Sequence, residues 1–136
     1  MELPLNLVSQ IAALLGAITL LLVAPVEMFF YERPAARKFL RVESKNLEDV
    51  QMWAFLIGFR NLIAAGGVLT GLLLIWSGHG LSGSIIVLTA SCYMLLSGLA
   101  MGLSDLLGFW KPRGGSIRGM IGSSLPPLMV IIAAFF

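Results

Sequence analysis

The chain has 136 residues, of which 58% are hydrophobic and 12% charged. Soluble domains lie nearer ~45–50% apolar and ~25% charged, so this composition points away from a water-soluble domain and toward a lipid-solvated one. The formal charge of +2 does not indicate nucleic-acid binding, because the basic residues sit in short segments between apolar runs, where membrane topology accounts for them.

The first apolar run covers about residues 7–30. It is preceded by the acidic Met1-Glu2-Leu3-Pro4 and is longer than the core of a signal peptide, so a secretory leader is not expected. Pro25 is expected to kink it near its end, just before Glu27. A long charged connection follows over 31–51. It carries Arg33, Arg37, Lys38, Arg41 and Lys45 against Glu32, Glu43, Glu48 and Asp49. Within it, 34–40 reads as a short interfacial helix with Pro34 in its first turn.

The second run, about 52–76, is joined to the third, about 81–109, by the tight turn Ser77-Gly78-His79-Gly80. The turn makes these two runs antiparallel neighbours. A short basic connection over 110–116 leads to the fourth run, about 117–136. Pro126-Pro127 are expected to kink this last run, with Ser123 and Ser124 bonding to freed carbonyls. Each run reaches the ~20 residues needed to cross a ~30 Å hydrocarbon layer. Backbone groups in lipid must be satisfied internally, so the runs are expected to be helices.

The expected architecture is one all-α domain over 1–136, an integral membrane four-helix bundle. Lys and Arg concentrate in the first and third connections, which share a side in a four-span chain. Those connections (31–51 and 110–116) are therefore expected to be cytoplasmic and both termini non-cytoplasmic, in a cell inner (plasma) membrane. Tyr31, Trp53, Trp76 and Trp110 fall near run ends, as interfacial aromatics do.

Four ionisable residues fall inside the runs: Glu27, Arg60, Asp105 and Arg118. A charge at a helix centre in lipid costs at least ~2.5–3.5 kcal/mol, so such groups usually face protein or water. Arg60, Ala64, Gly67 and Gly71 share one helical stripe. Ser84, Ser91, Gly98, Gly102 and Asp105 share another, and Gly115, Arg118 and Gly122 a third. Small residues mark closely packed helix faces, so the three charges are expected inside. Asn61 lies ~100° around the helix from Arg60. Glu27, Arg60, Asn61 and Asp105 are expected to form one polar cluster, either a structural salt-bridge network or a site for a polar group.

In a site of that kind, Glu27 and Asp105 are the candidate acid and base. Arg60 would stabilise negative charge and Asn61 would orient a polar group. Arg60, Asn61, Tyr31 and Arg118 are the candidate ligand-binding residues. The lone Cys92 cannot close an intrachain disulfide, and no residue grouping suggests a metal or cofactor.

Glu27-Met28 followed by the aromatics Phe29, Phe30 and Tyr31, then Asn61-x-x-x-Ala65-x-Gly67, resembles a family of small bacterial four-span membrane proteins. That family is known as domain of unknown function 1304. The chain departs from the family pattern in having Leu20 in place of a histidine, Leu56-Ile57 in place of Asn-Gln, and Arg60 in place of an aromatic. The resemblance implies a fold and a membrane location but no activity.

The functional reading is a bilayer-embedded protein that binds a lipophilic small molecule in a polar pocket on the cytoplasmic side. Acid–base isomerisation or epoxide-opening hydrolysis of that molecule is one extension. The alternatives are a structural subunit of a membrane complex and a small homo-oligomeric proton-coupled exporter.

Overall fold

The computed structural model describes residues 5–43 and 45–136. Residues 1–4, on which the acidic amino-terminus rests, and Ser44 lie outside the described residues. The described chain is all helical, with five helices and no strand: α1 (Leu7–Phe29), α2 (Pro34–Leu40), α3 (Leu47–Trp76), α4 (Gly80–Leu106) and α5 (Ile117–Ala133). With 23, 30 and 27 residues, α1, α3 and α4 are long and apolar enough to cross a membrane, while α5 is shorter at 17.

Local chemistry sets the helix ends. Asn6 caps α1 by accepting from Ser9 N–H at 2.9 Å. Pro34 opens α2, which closes on Arg41 in the left-handed region. α3 begins at Leu47 rather than near 52, because Glu48 and Asp49 complement the helix dipole in its first turn. α4 stops at Leu106 rather than 109. Gly108 adopts φ 79°, and Phe109 N–H turns back to the Ser104 carbonyl at 2.9 Å, a glycine-dependent helix stop.

The four longer helices pack in a ring, α1 against α3 and α5, and α4 against α3 and α5. Small residues point inward. α1 buries Ser9, Ala12, Ala13, Gly16, Ala17 and Ala24, while Leu7, Ile11, Leu15, Ile18 and Leu22 face outward, 43–71% exposed. This inverts the soluble pattern. In lipid no hydrophobic force draws helices together, and small side chains permit close backbone packing.

The connections lie at two ends of the ring. At the loop end, Trp110 Nε1 donates to the Arg41 carbonyl at 2.9 Å, and Glu43 N–H donates to the Lys111 carbonyl at 2.9 Å. The first and third connections are thus bonded to each other. At the turn end, Leu5 N–H donates to Ser84 Oγ at 3.2 Å, Asn6 Nδ2 to the Ala133 carbonyl at 2.6 Å, and Trp76 Nε1 to Gln10 Oε1 at 2.8 Å. The start of α1 is strapped to α3, α4 and the end of α5.

Ser123 Oγ donates to the Gly119 and Met120 carbonyls at 2.7 and 3.3 Å, and Ser124 Oγ has no partner among the described residues. Neither serves the carbonyls freed by Pro126 and Pro127. A helical side chain leans toward the preceding turn, so Ser123 reaches carbonyls three and four residues back.

Candidate functional site

Two faces of α3 carry the polar residues. On the face toward α1, Gly58 permits the closest approach. A methyl group added there would lie 2.5 Å from Met28 Cγ and 2.7 Å from the Ala24 carbonyl oxygen. One turn further along α3, Asn61 Nδ2 donates to Glu27 Oε2 at 2.8 Å. The two residues form an interhelical amide–carboxyl pair beside the Gly58 contact.

Arg60 lies ~100° around the helix from Asn61, on the side toward α4. There α3 and α4 meet tightly only near their turn. A methyl group on Gly71 would lie 2.8 Å from the Gly83 carbonyl oxygen, whereas one on Gly67 would meet only Ala90 Cβ, at 3.9 Å. The helices separate toward the loop end and leave a groove of about 550 Å³. Ala64, Gly67, Ile86, Ala90 and Tyr93 line it, and Arg60 stands at its loop end. Arg60 is exposed and forms no hydrogen bond or ion pair among the described residues.

Asp105 does not join this groove. It is only 8% exposed, and both its oxygens are engaged. Gly114 N–H donates to Oδ1 at 2.8 Å. Ser116 N–H and Oγ–H donate to Oδ2 at 3.1 and 2.9 Å. The carboxylate therefore organises the connection that leads into α5, where a negative charge also suits the helix N-terminus. The expected four-residue cluster resolves into three separate features: the Glu27–Asn61 pair, the Asp105 loop cap and the unpaired Arg60. Helical spacing put Arg60 on a stripe with Ala64 and Gly71, but the splay of α3 from α4 opens that stripe at its loop end.

The remaining expected site residues are also dispersed. Arg118 is exposed and unpaired among the described residues. Tyr31 is 4% exposed, so it is no interfacial belt residue. The turn after α1, closed by Arg33 N–H to the Phe30 carbonyl at 2.9 Å, carries it inward. Burial pushes the Tyr31 phenol above its ordinary pKa, against the opposing pull of Arg37. Trp53 and Trp76 are exposed, as a belt position requires.

Sequence reasoning passed over Asn6, Ser9 and Gln10, whose bonds tie the turn end together. Asn6 carried a visible signal as a helix cap. Gln10 carried none, because its partner Trp76 is 66 residues away.

A model of the family described as "Protein of unknown function (DUF1304)" matches residues 14–135. No curated protein and no solved structure gives a significant match.

Proposed function

The chain belongs to the DUF1304 family of proteins of unknown function, and we propose that it is a four-span membrane protein that binds a lipophilic molecule with an anionic end between α3 and α4. The observation that carries this reading is the groove of about 550 Å³ with a guanidinium at one end that has no partner among the described residues. Its volume falls within the ~300–1,000 Å³ of small-molecule sites. An apolar tail would lie along Ala64, Gly67 and Ala90, stopped at the Gly71–Gly83 contact. The anionic end would neutralise Arg60, a cation that is costly to leave uncompensated in lipid.

In this reading α5 is the fourth span. Its 17 residues fall at the short end of the ~17–25 that cross a bilayer. Seven of the nine Lys and Arg residues (Arg33, Arg37, Lys38, Arg41, Lys45, Lys111 and Arg113) sit in the two loop-end connections. That bias supports a cytoplasmic loop end and non-cytoplasmic termini in a plasma membrane. Binding is favoured over an acid–base reaction because Glu27, on α1, meets the Asn61 face of α3, whereas the groove lies on the face toward α4. A second reading, a structural subunit, is favoured by the use of Glu27 and Asp105 as helix-joining and loop-ordering acceptors.

The test is native mass spectrometry of protein extracted gently from its own membrane. A lipophilic acid should be retained at about one per chain, and lost in Arg60→Ala and in Gly67→Leu, which fills the groove without removing charge. Absence of a stoichiometric ligand, or its retention in both variants, overturns the assignment.

A further inference from the structure

A second site, independent of the α3–α4 groove, lies where α1 meets α2. The nine residues from 33 to 41 contain Arg33, Arg37, Lys38 and Arg41 and no acid. None of these four cations forms an ion pair among the described residues. α2 follows the end of α1 after a short turn, with Ala36 buried. Between them lies an apolar pocket of about 340 Å³ lined by Val26, Phe30, Ala35, Ala36 and Phe39, with Arg33 at its edge. The Arg33 guanidinium is held 4.8 Å over the Phe30 ring, an arrangement that fixes a cation by the ring's negative face.

Two buried atoms at this junction have no hydrogen-bond partner among the described residues, Arg37 Nε and Tyr31 Oη. Buried polar groups are nearly always hydrogen-bonded, so each of these atoms is a position for a polar atom of a bound ligand. Arg33 is the extended residue just before α2 and Arg37 lies within α2, so one short segment carries both guanidinium groups. Guanidinium groups match the oxygens of a phosphate diester. Clusters of basic residues just outside a membrane span attract anionic lipid at ~1 kcal/mol per residue near the surface.

We propose that the α1–α2 junction is a binding site for an anionic phospholipid of the leaflet facing the loop end, with its phosphate on Arg33 and Arg37 and one acyl chain in the pocket formed by Val26, Phe30, Ala36 and Phe39. The aromatic and alanine side chains provide the apolar wall, and the unpaired cations provide the charge. This assignment does not depend on the α3–α4 groove, and Arg60→Ala leaves it intact.

The test uses the full chain in nanodiscs of phosphatidylcholine containing a minor fraction of phosphatidylglycerol. Native mass spectrometry reads the lipids that stay bound after release. The wild type should retain phosphatidylglycerol several-fold above its mole fraction. The paired variant Arg33→Gln/Arg37→Gln should lose that enrichment, while Lys111→Gln/Arg113→Gln, which removes the same charge from the neighbouring connection, should keep most of it. Circular dichroism on both variants separates loss of the site from loss of the fold. Excess inorganic phosphate should leave the bound lipid in place if the chain is part of the recognition. No enrichment in the wild type, equal loss in both charge pairs, or displacement by phosphate alone overturns the proposal.

Discussion

Asn61 Nδ2 donates to Glu27 Oε2 at 2.8 Å, across the line where α1 and α3 come closest. The bond joins two helices in a setting where packing supplies no hydrophobic gain, so a single polar contact counts. Interhelical hydrogen bonds in membranes contribute ~0.6 kcal/mol on average and up to ~1.7. A double-mutant cycle with Glu27→Leu and Asn61→Leu should give a coupling energy in that range, measured by unfolding in mixed detergent. Glu27→Gln keeps an acceptor oxygen and should retain most of the coupling. A cycle that sums to zero would mean the two side chains do not stabilise each other.

Gly58 makes that bond possible, and it can be tested against a neighbour. A methyl group at Gly58 would press on Met28 Cγ and the Ala24 carbonyl, whereas one at Gly66 meets nothing within 4 Å. Overpacking of a close contact typically costs ~1–3 kcal/mol. Gly58→Ala should therefore lower thermal stability and weaken the Glu27–Asn61 coupling. Gly66→Ala should be neutral or mildly stabilising, since alanine favours a helix by up to ~1 kcal/mol over glycine. Equal effects at both positions would contradict the α1–α3 contact.

Asp105 holds the connection into α5 through Gly114 and Ser116. Asp105→Asn replaces one acceptor oxygen with a donor that faces an N–H group. The expected result is local. The 107–116 segment should become a protease-cleavage site, and the Trp110–Arg41 bond that joins the two connections should loosen, with a red-shifted Trp110 emission. Asp105→Ala should be worse still. Unchanged proteolysis would remove the carboxylate from its ordering role.

How much of this was legible in the sequence depended on whether a feature is periodic. Of the α4 stripe, Ser84, Ser91, Gly98 and Asp105 are buried as their spacing required and Gly102 is half-buried, and α2 covers the 34–40 segment. The ~100° step from Arg60 to Asn61 puts them on different faces of α3, against the expectation of one shared cluster. Periodicity cannot say which helix a face meets, nor whether two helices stay together along their length. Arg60 shares a stripe with buried Ala64 and Gly71, yet lies where α3 has left α4. The expectation that Asp105 joins the Glu27–Arg60–Asn61 cluster fails because its partners are the Gly114 and Ser116 N–H groups and the Ser116 hydroxyl of a loop, which no helical spacing announces. Tyr31 was placed at the interface because a turn that folds a residue inward leaves no repeat to detect.

The orientation of the chain can be read directly by labelling single cysteines. Cys92 is exposed, so a Cys92→Ala background is needed first. Lys45 lies in the loop-end connection and His79 in the turn between α3 and α4, at opposite ends of the 30-residue α3. Basic residues cluster at the loop end and none lie in the turn, and such a bias holds basic connections in the cytoplasm. In intact cells a membrane-impermeant maleimide should label His79→Cys and leave Lys45→Cys unmodified until the membrane is opened. The pairing of Glu43 with Lys111 adds a second expectation, that a cysteine replacing Lys111 is protected together with Lys45→Cys. Labelling of Lys45→Cys in intact cells would invert the topology and place the basic α1–α2 junction in the opposite leaflet. Labelling of His79→Cys together with protection of Lys111→Cys would fix both ends of the α3–α4 pair at once.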